Sequence, residues 1–291
     1  MPARIENFCT DAINVFQVGT LRELGFKTRV ALTNKSSDCI GWRTSYHVSA
    51  TIHTPGREVR RLSDLFVLKP DEIKSVDCDS VLESKDLDSV IIFHLIPDRY
   101  HGLSHADVSR EEIISLKSVQ DHYVEYFRSD GFSSGVLFQG GAFNYSKLGK
   151  NWSTIIQSPK VHSSGSLNTY MQLINAGFDS HYSSEAVVKC CLVDGKGEII
   201  RSWTETVPPF SVRLVNLSDK LNPDSGSFCV AYALCANVTL VPLTISYDTV
   251  SKCLAVEHSL PPYYYADGFV GKLRFDTLAS LAQSRLFSRE V

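Results

Sequence analysis

Along residues 47–53 apolar and polar positions alternate: Val48, Ala50 and Ile52 on one parity, His47, Ser49, Thr51 and His53 on the other. That period of two is the signature of a strand with one buried face. Turn chemistry follows at Thr54-Pro-Gly-Arg57, and residues 59–62 return as a second strand, so the segment is predicted as a β-hairpin. The same grammar recurs at 186–203, with Asp194-Gly-Lys-Gly197 as the turn. In both places proline then breaks the chain, at Pro70 and at Pro208-Pro209, and a strand resumes at 73–76 and at 212–217. Buried-looking runs come next, 89–94 and 227–232. Each unit offers about seven short strands with turns roughly ten residues apart, which predicts an all-β fold of two β-sandwiches rather than βαβ units. Helix is expected in two places. One is 109–117, where Ser109 and Glu112 have capping-box spacing, and the other is a short C-terminal amphipathic helix over 276–287.

The two stretches match residue by residue. Asn34 corresponds to Asn175, Glu58-Val59 to Glu198-Ile199, Pro70 to Pro209, His122 to His258, and Asp130-Gly-Phe132 to Asp267-Gly-Phe269. An internal repeat covering 26–140 and 167–276 is therefore expected. The domains are residues 1–140, an ordered linker 141–166, and 167–291. Duplicated domains commonly pack about a pseudo-two-fold axis, and the groove between them is then the default ligand site.

The stretch Leu173-Ile-Asn-Ala-Gly177, with Gly197, Thr206-Val-Pro208 and Arg213-Leu-Val followed by Leu217-Ser-Asp219, resembles the single-domain β-sandwich of the sensory-rhodopsin transducer family. The resemblance covers about fifty residues of the second unit and less of the first. It implies self-associating, ligand-binding or signalling modules without established catalysis. A tandem pair departs from that single-domain pattern.

Composition narrows the choices further. With 43% apolar and 21% charged residues, the chain is an ordinary globular one. A net charge of −3 and no basic run longer than Arg60-Arg61 argue against nucleic acid and anionic membranes as partners. The first residues lack an apolar segment of signal-peptide type, and no stretch reaches the ~18 apolar residues of a span, so a cytoplasmic location is expected. The eight cysteines form no C-x-x-C pair, and most sit in apolar runs, where reduced, buried thiols are expected.

No recognised nucleophile elbow, zinc-protease helix or phosphate loop occurs. The densest polar and aromatic cluster is 120–132, with His122, Glu125, Tyr126 and Arg128; its counterpart at 256–269 holds His258 and Tyr263. A second cluster, 93–105, carries His94, Asp98, Arg99, His101 and His105, with Tyr232 in the place of His94 in the other unit. The candidate acid–base residues are His122, Glu125 and Tyr126, because imidazole, carboxylate and phenol can move protons. The candidate ligand-binding residues are His94, Arg99, Arg128, His258 and Tyr263. Six of the first unit's residues, His94, Arg99, His122, Glu125, Tyr126 and Arg128, are expected to line one cavity, since the two units share a scaffold but not these groups. The spacing of the three loop histidines matches no known ligand set, so neither a metal nor a cofactor is expected. The leading expectation is a module that binds a small polar or aromatic ligand or a protein partner, with a homodimer as one form of partner. The alternative is an enzyme using the first unit's His/Glu/Tyr/Arg groups.

Overall fold

The computed structural model describes residues 14–34, 44–84, 86–98, 101, 121–131, 133–139, 154–162, 165–177, 182–221, 229–235, 238 and 240–258. The helices expected at 109–117 and 276–287 lie outside these. Within them the regular structure is antiparallel strand, joined by turns and three single 3-10 turns, with no α-helix among the described residues. The first unit holds β1 (Asn14–Gly19), β2 (Lys27–Thr33), β3 (Tyr46–His53), β4 (Arg60–Leu68), β5 (Ile73–Asp77), β6 (Val90–Pro97), β7 (Asp121–Phe127) and β8 (Ser134–Gln139). The second holds β9 (Thr154–Val161), β10 (Leu167–Asn175), β11 (Ala186–Asp194), β12 (Ile199–Val207), β13 (Ser211–Asn216), β14 (Cys229–Cys235), β15 (Val241–Asp248) and β16 (Leu254–His258). The expected hairpins are β3–β4 and β11–β12, both antiparallel. One expectation needs correcting: Thr154–Val161, assigned to the linker, is β9, a strand of the second unit that pairs with β14.

Four antiparallel four-stranded sheets result. Sheet I runs β5-β2-β7-β8 and sheet II β1-β6-β3-β4; sheet III runs β13-β10-β15-β16 and sheet IV β12-β11-β14-β9. Strand for strand, III has the order of I, and IV the order of II. Asn34 and Asn175 anchor the correspondence. The Asn34 amide donates to the carbonyls of Thr44 and Leu68, and the Asn175 amide to those of Ser184, Val207 and Pro208. In both units the side chain ties the end of one sheet to the hairpin of the other.

Register overturns the match of His122 with His258. Val30 pairs with Val124, and Met171, its counterpart through the asparagines, pairs with Thr244. Strand β7 is thus the equivalent of β15, whereas His258 lies on β16, the equivalent of β8. The sequence match slid because the first unit carries a longer connection between β6 and β7 than the second carries between β14 and β15.

The packing of the two sandwiches follows from which parity is apolar. Within the first, Val48, Ala50 and Ile52 of sheet II face Val30, Leu32 and Val124 of sheet I. The opposite face of sheet II is also buried: Ile92, Thr51 and His94 are each 2–3% exposed. Sheet III covers it. Ile174, Leu243 and Ile245 belong to the first unit's core, while Met171 and Leu173, of the opposite parity, belong to the second's own core. Gln172 donates from Nε2 to the carbonyl of Thr20 at 2.8 Å, His53 stacks on Phe210 with centroids 4.3 Å apart, and Tyr247 meets Phe26 edge-on. At the sheet edge Val256 N donates to Ser134 Oγ, bringing β16 against β8.

The stack therefore reads I-II-III-IV. A two-fold axis would bring like faces together, II on IV or I on III. Here the outer face of II meets the outer face of III, which is the equivalent of I. The units pack head to tail, a heterologous arrangement, and among the described residues the expected pseudo-two-fold groove does not form.

Candidate functional site

The sequence-predicted residues fall into different layers. His122, Val124 and Tyr126 share a parity on β7 and point between sheets I and II. His122 is 2% exposed; its Nδ1 accepts from Thr33 N at 3.2 Å, and its ring lies 4.8 Å from that of Phe16. Tyr126 is fully buried, and its hydroxyl donates to the carbonyl of Gly19 at 2.8 Å. Burial pushes that phenol far above its ordinary range. His94 lies one sheet away, in the II–III interface, with Thr51 Oγ1 at 3.1 Å from Nε2. Its Nδ1 has no hydrogen-bond partner among the described residues. Burial, then the neighbouring His53 and Arg61, push His94 down to about 3. The asparagine anchors place Leu234, not Tyr232, at the position equivalent to His94.

Glu125 has the other parity and points outward, where it pairs with Arg29 at 3.2 Å. Arg128 forks onto Asp130 through Nε and Nη2 at 2.8 and 2.9 Å. His258 is an exposed residue on β16, opposite Leu243. Arg99, His105 and Tyr263 lie outside the described residues. The expected single cavity is thus corrected: among the described residues, its groups occupy the interior of the first sandwich, the II–III interface and the outer face of sheet I. Alternation explains the split, because neighbours on a strand face opposite ways.

What the outer face of sheet I does assemble is a surface. Tyr123, Glu125 and Phe127 of β7 lie beside Arg29 and Ala31 of β2, with Ile73 on the edge strand β5. Arg29 joins the parts: its guanidinium carbon sits 4.5 Å from the Phe127 ring centroid, while Nη1 holds Glu125. The phenol end of Tyr123 reaches over Gly135. A Cβ at that glycine would sit 2.2 Å from the phenol oxygen, so only glycine lets the ring adopt this pose. Partial burial and the Glu125 carboxylate raise the Tyr123 phenol. Ile73 is 64% and Tyr123 37% exposed.

Two further constellations went unread in the sequence. Asp86 is 1% exposed and gathers Arg60, Arg57 and Thr54 Oγ1 around its carboxylate, with Glu83 N donating at 2.8 Å. Burial raises this carboxyl, but the hydrogen bond from the Glu83 backbone and the Arg60 charge outweigh it and hold it below its ordinary value. At the other end of sheet II, His47 holds Asp98 at 2.8 Å, His101 holds Asp64 at 3.2 Å, and the two imidazoles stack 3.6 Å apart. His101 was visible as a loop histidine. His47 and Asp64 come from separate strands, and no spacing rule links them to it.

Comparison with known proteins adds little. No family model matches the chain, and no curated protein matches it. Among solved structures it is similar to a beta-glucuronidase of Bacteroides uniformis, at 11% identity over 84% of this chain and 25% of that one, with a TM-score of 0.18. It is also similar to the serine-rich repeat protein Srr2 of Streptococcus agalactiae, at 13% identity over 83% and 82% of the two chains, with a TM-score of 0.20. A glycosyl hydrolase family 2 member of Bacteroides cellulosilyticus matches at 8% identity over 86% of this chain and 28% of its own, with a TM-score of 0.16. The chain spans about a quarter of the length of the two hydrolases.

Proposed function

We propose that this chain is a non-catalytic interaction module whose recognition surface is the outer face of sheet I, and that its ligand is a protein partner. One observation carries the reading: Tyr123, Phe127 and Arg29, residue types enriched at protein interfaces, sit together on the face of sheet I that no other described sheet covers. Tyrosine and arginine each offer a large contact area with a polar end, and the Arg29–Glu125 pair holds the guanidinium in place before contact. The face is the plane of a sheet rather than a cleft, which suits a macromolecular surface better than a small molecule. Supporting it from the other side, two of the three acid–base candidates are engaged in packing: Tyr126 donates to the Gly19 carbonyl and His122 accepts from Thr33 N, both inside the first sandwich. The resemblance to sensory-rhodopsin transducer modules points the same way, toward binding and self-association.

The test is a photo-crosslinking amino acid placed at position 123, with the same probe at Lys189 on the outer face of sheet IV as a control. The reading expects a discrete adduct from position 123 in cells, lost when Arg29→Glu is added. It fails if position 123 yields no adduct, or the same adducts as position 189. An adduct with a second copy of the chain identifies the partner as a homodimer.

A further inference from the structure

The stacked histidines at the far end of sheet II stand apart from that surface. We propose that His47, Asp64, Asp98 and His101 form a binding site for one divalent transition-metal ion of the zinc type.

Three elements converge there. His47 is the second residue of β3, Asp98 follows the end of β6, and Asp64 sits within β4. A register shift between Val48 and Ala50 marks a bulge in the β3–β4 pairing, and Asp64 stands in it with a φ of 51°. Outside glycine that conformation is uncommon, and bulges often re-aim a side chain. Here the carboxylate is aimed at His101. His101 N donates to the Asp98 carbonyl, and Asp98 N to the Ser45 carbonyl. Ligand atoms of His47, Asp64 and His101 all lie within 4.8 Å of one another. A tetrahedral ion bound at about 2.0–2.1 Å needs its ligand atoms about 3.3 Å apart. To bring both ring nitrogens onto one ion, the His47 and His101 rings, now 12° from parallel, must turn out of their stack, and both side chains are partly exposed.

The donor set fixes the class of ion. Two neutral imidazoles with one or two carboxylates suit zinc and its neighbours, whereas magnesium and calcium take oxygen ligands. Among the described residues the second unit has no counterpart. Its β11–β12 pairing runs in regular register past Lys189 and Thr204, and Val187 stands in the place of His47. The donors are therefore not demanded by the shared sandwich. An ion would clasp β3, the β4 bulge and the β6 loop together, with solvent able to reach it through the half-buried histidines.

The experiment is calorimetric titration of the chelator-treated, reduced full chain with zinc chloride, with magnesium as a comparison. One saturable zinc equivalent is expected, together with a higher melting temperature and no response to magnesium. Asp64→Asn and His101→Gln should each weaken zinc binding about tenfold or more while leaving the circular dichroism of the zinc-free protein unchanged. Cys253→Ser, which removes an exposed thiol, should bind as the parent does. Absence of saturable zinc binding overturns the site. So does binding that Asp64→Asn leaves intact, or that Cys253→Ser abolishes. Asp64 is exposed, so Asp64→Asn keeps the question open to test even if His101→Gln disturbs folding.

Discussion

Glu125 and Ile245 occupy the same place in two equivalent strands, and their surroundings are opposite. Glu125 lies opposite Arg29 on β2, and Ile245 lies opposite Tyr170 on β10. The first points to solvent and forms an ion pair; the second is 0% exposed, pressed onto sheet II. The same contrast runs across both faces. Tyr123 answers to Leu243, Ser75 to Leu214 and Gly135 to Val256. One sheet was given a polar face because it ends the stack, the other an apolar face because it lies inside it.

A charge at position 245 should therefore be intolerable where one at 125 is native. Ile245→Glu removes a buried apolar side chain and puts an unpaired carboxylate in the II–III interface, a loss of about 4 kcal/mol or more in urea unfolding. Glu125→Ile should change stability by less than about 1 kcal/mol and lower solubility instead. Equal costs at the two positions would contradict head-to-tail packing.

That contrast also shows how far the sequence could be read. The hairpins and the strands that follow each proline were legible because their period of two is local. Asn34 and Asn175 were matched correctly because each performs the same bridging task. The pairing of His122 with His258 failed because chemistry-like residues were aligned without the hydrogen-bond register, which only the fold supplies. The asymmetry read as a sign of function, with Glu125 present in one unit only, has a plainer source in solvent on one side and a packed sheet on the other. Strand β9 was missed because its apolar Ile155-Ile156 do not alternate, and Ser158-Pro159 reads as a break.

Acid should weaken the II–III interface through His94. Its folded value of about 3 lies below the ordinary 6.5, so the folded state refuses a proton that the unfolded chain accepts. The stabilisation is full above pH 6.5 and is lost as pH falls toward 3. His53, pushed down to about 4 by burial and then by Arg61, has the same sign. Each contributes a slope of up to about 1.4 kcal/mol per pH unit. His94→Leu, the residue found at the equivalent position 234, should flatten the loss between pH 6 and 4, as measured by urea midpoints. An unchanged slope would mean that His94 is not the group that titrates.

Removing either asparagine amide should destabilise the fold. Asn34→Ala removes the side-chain donor to the carbonyls of Thr44 and Leu68, and Asn175→Ala that to Ser184 and Val207 together with the acceptor of the buried Tyr182 hydroxyl, while Pro208 keeps Ser211 Oγ at 2.6 Å. Each buried acceptor left without its donor costs about 1–3 kcal/mol, so both variants should lose several kcal/mol, Asn175→Ala the more. Losses under 1 kcal/mol in either would show that water replaces the amide.

The thiols offer the most direct check on the packing. Cys78, Cys190, Cys191, Cys229, Cys235 and Cys253 form no disulfide, and of these only Cys253 is exposed. Burial pushes Cys78 and Cys190 well above the ordinary thiol range, so little thiolate forms there at neutral pH. Under native conditions a maleimide or an aromatic disulfide should modify Cys253 within minutes, with mass spectrometry locating the label. Among the described cysteines the other five should react only as the protein opens, at rates that rise with urea. A reducing agent should leave the melting temperature where it was. Rapid native labelling of Cys190 or Cys235 would mean that sheets III and IV are not closed on one another, and the second sandwich would have to be redrawn.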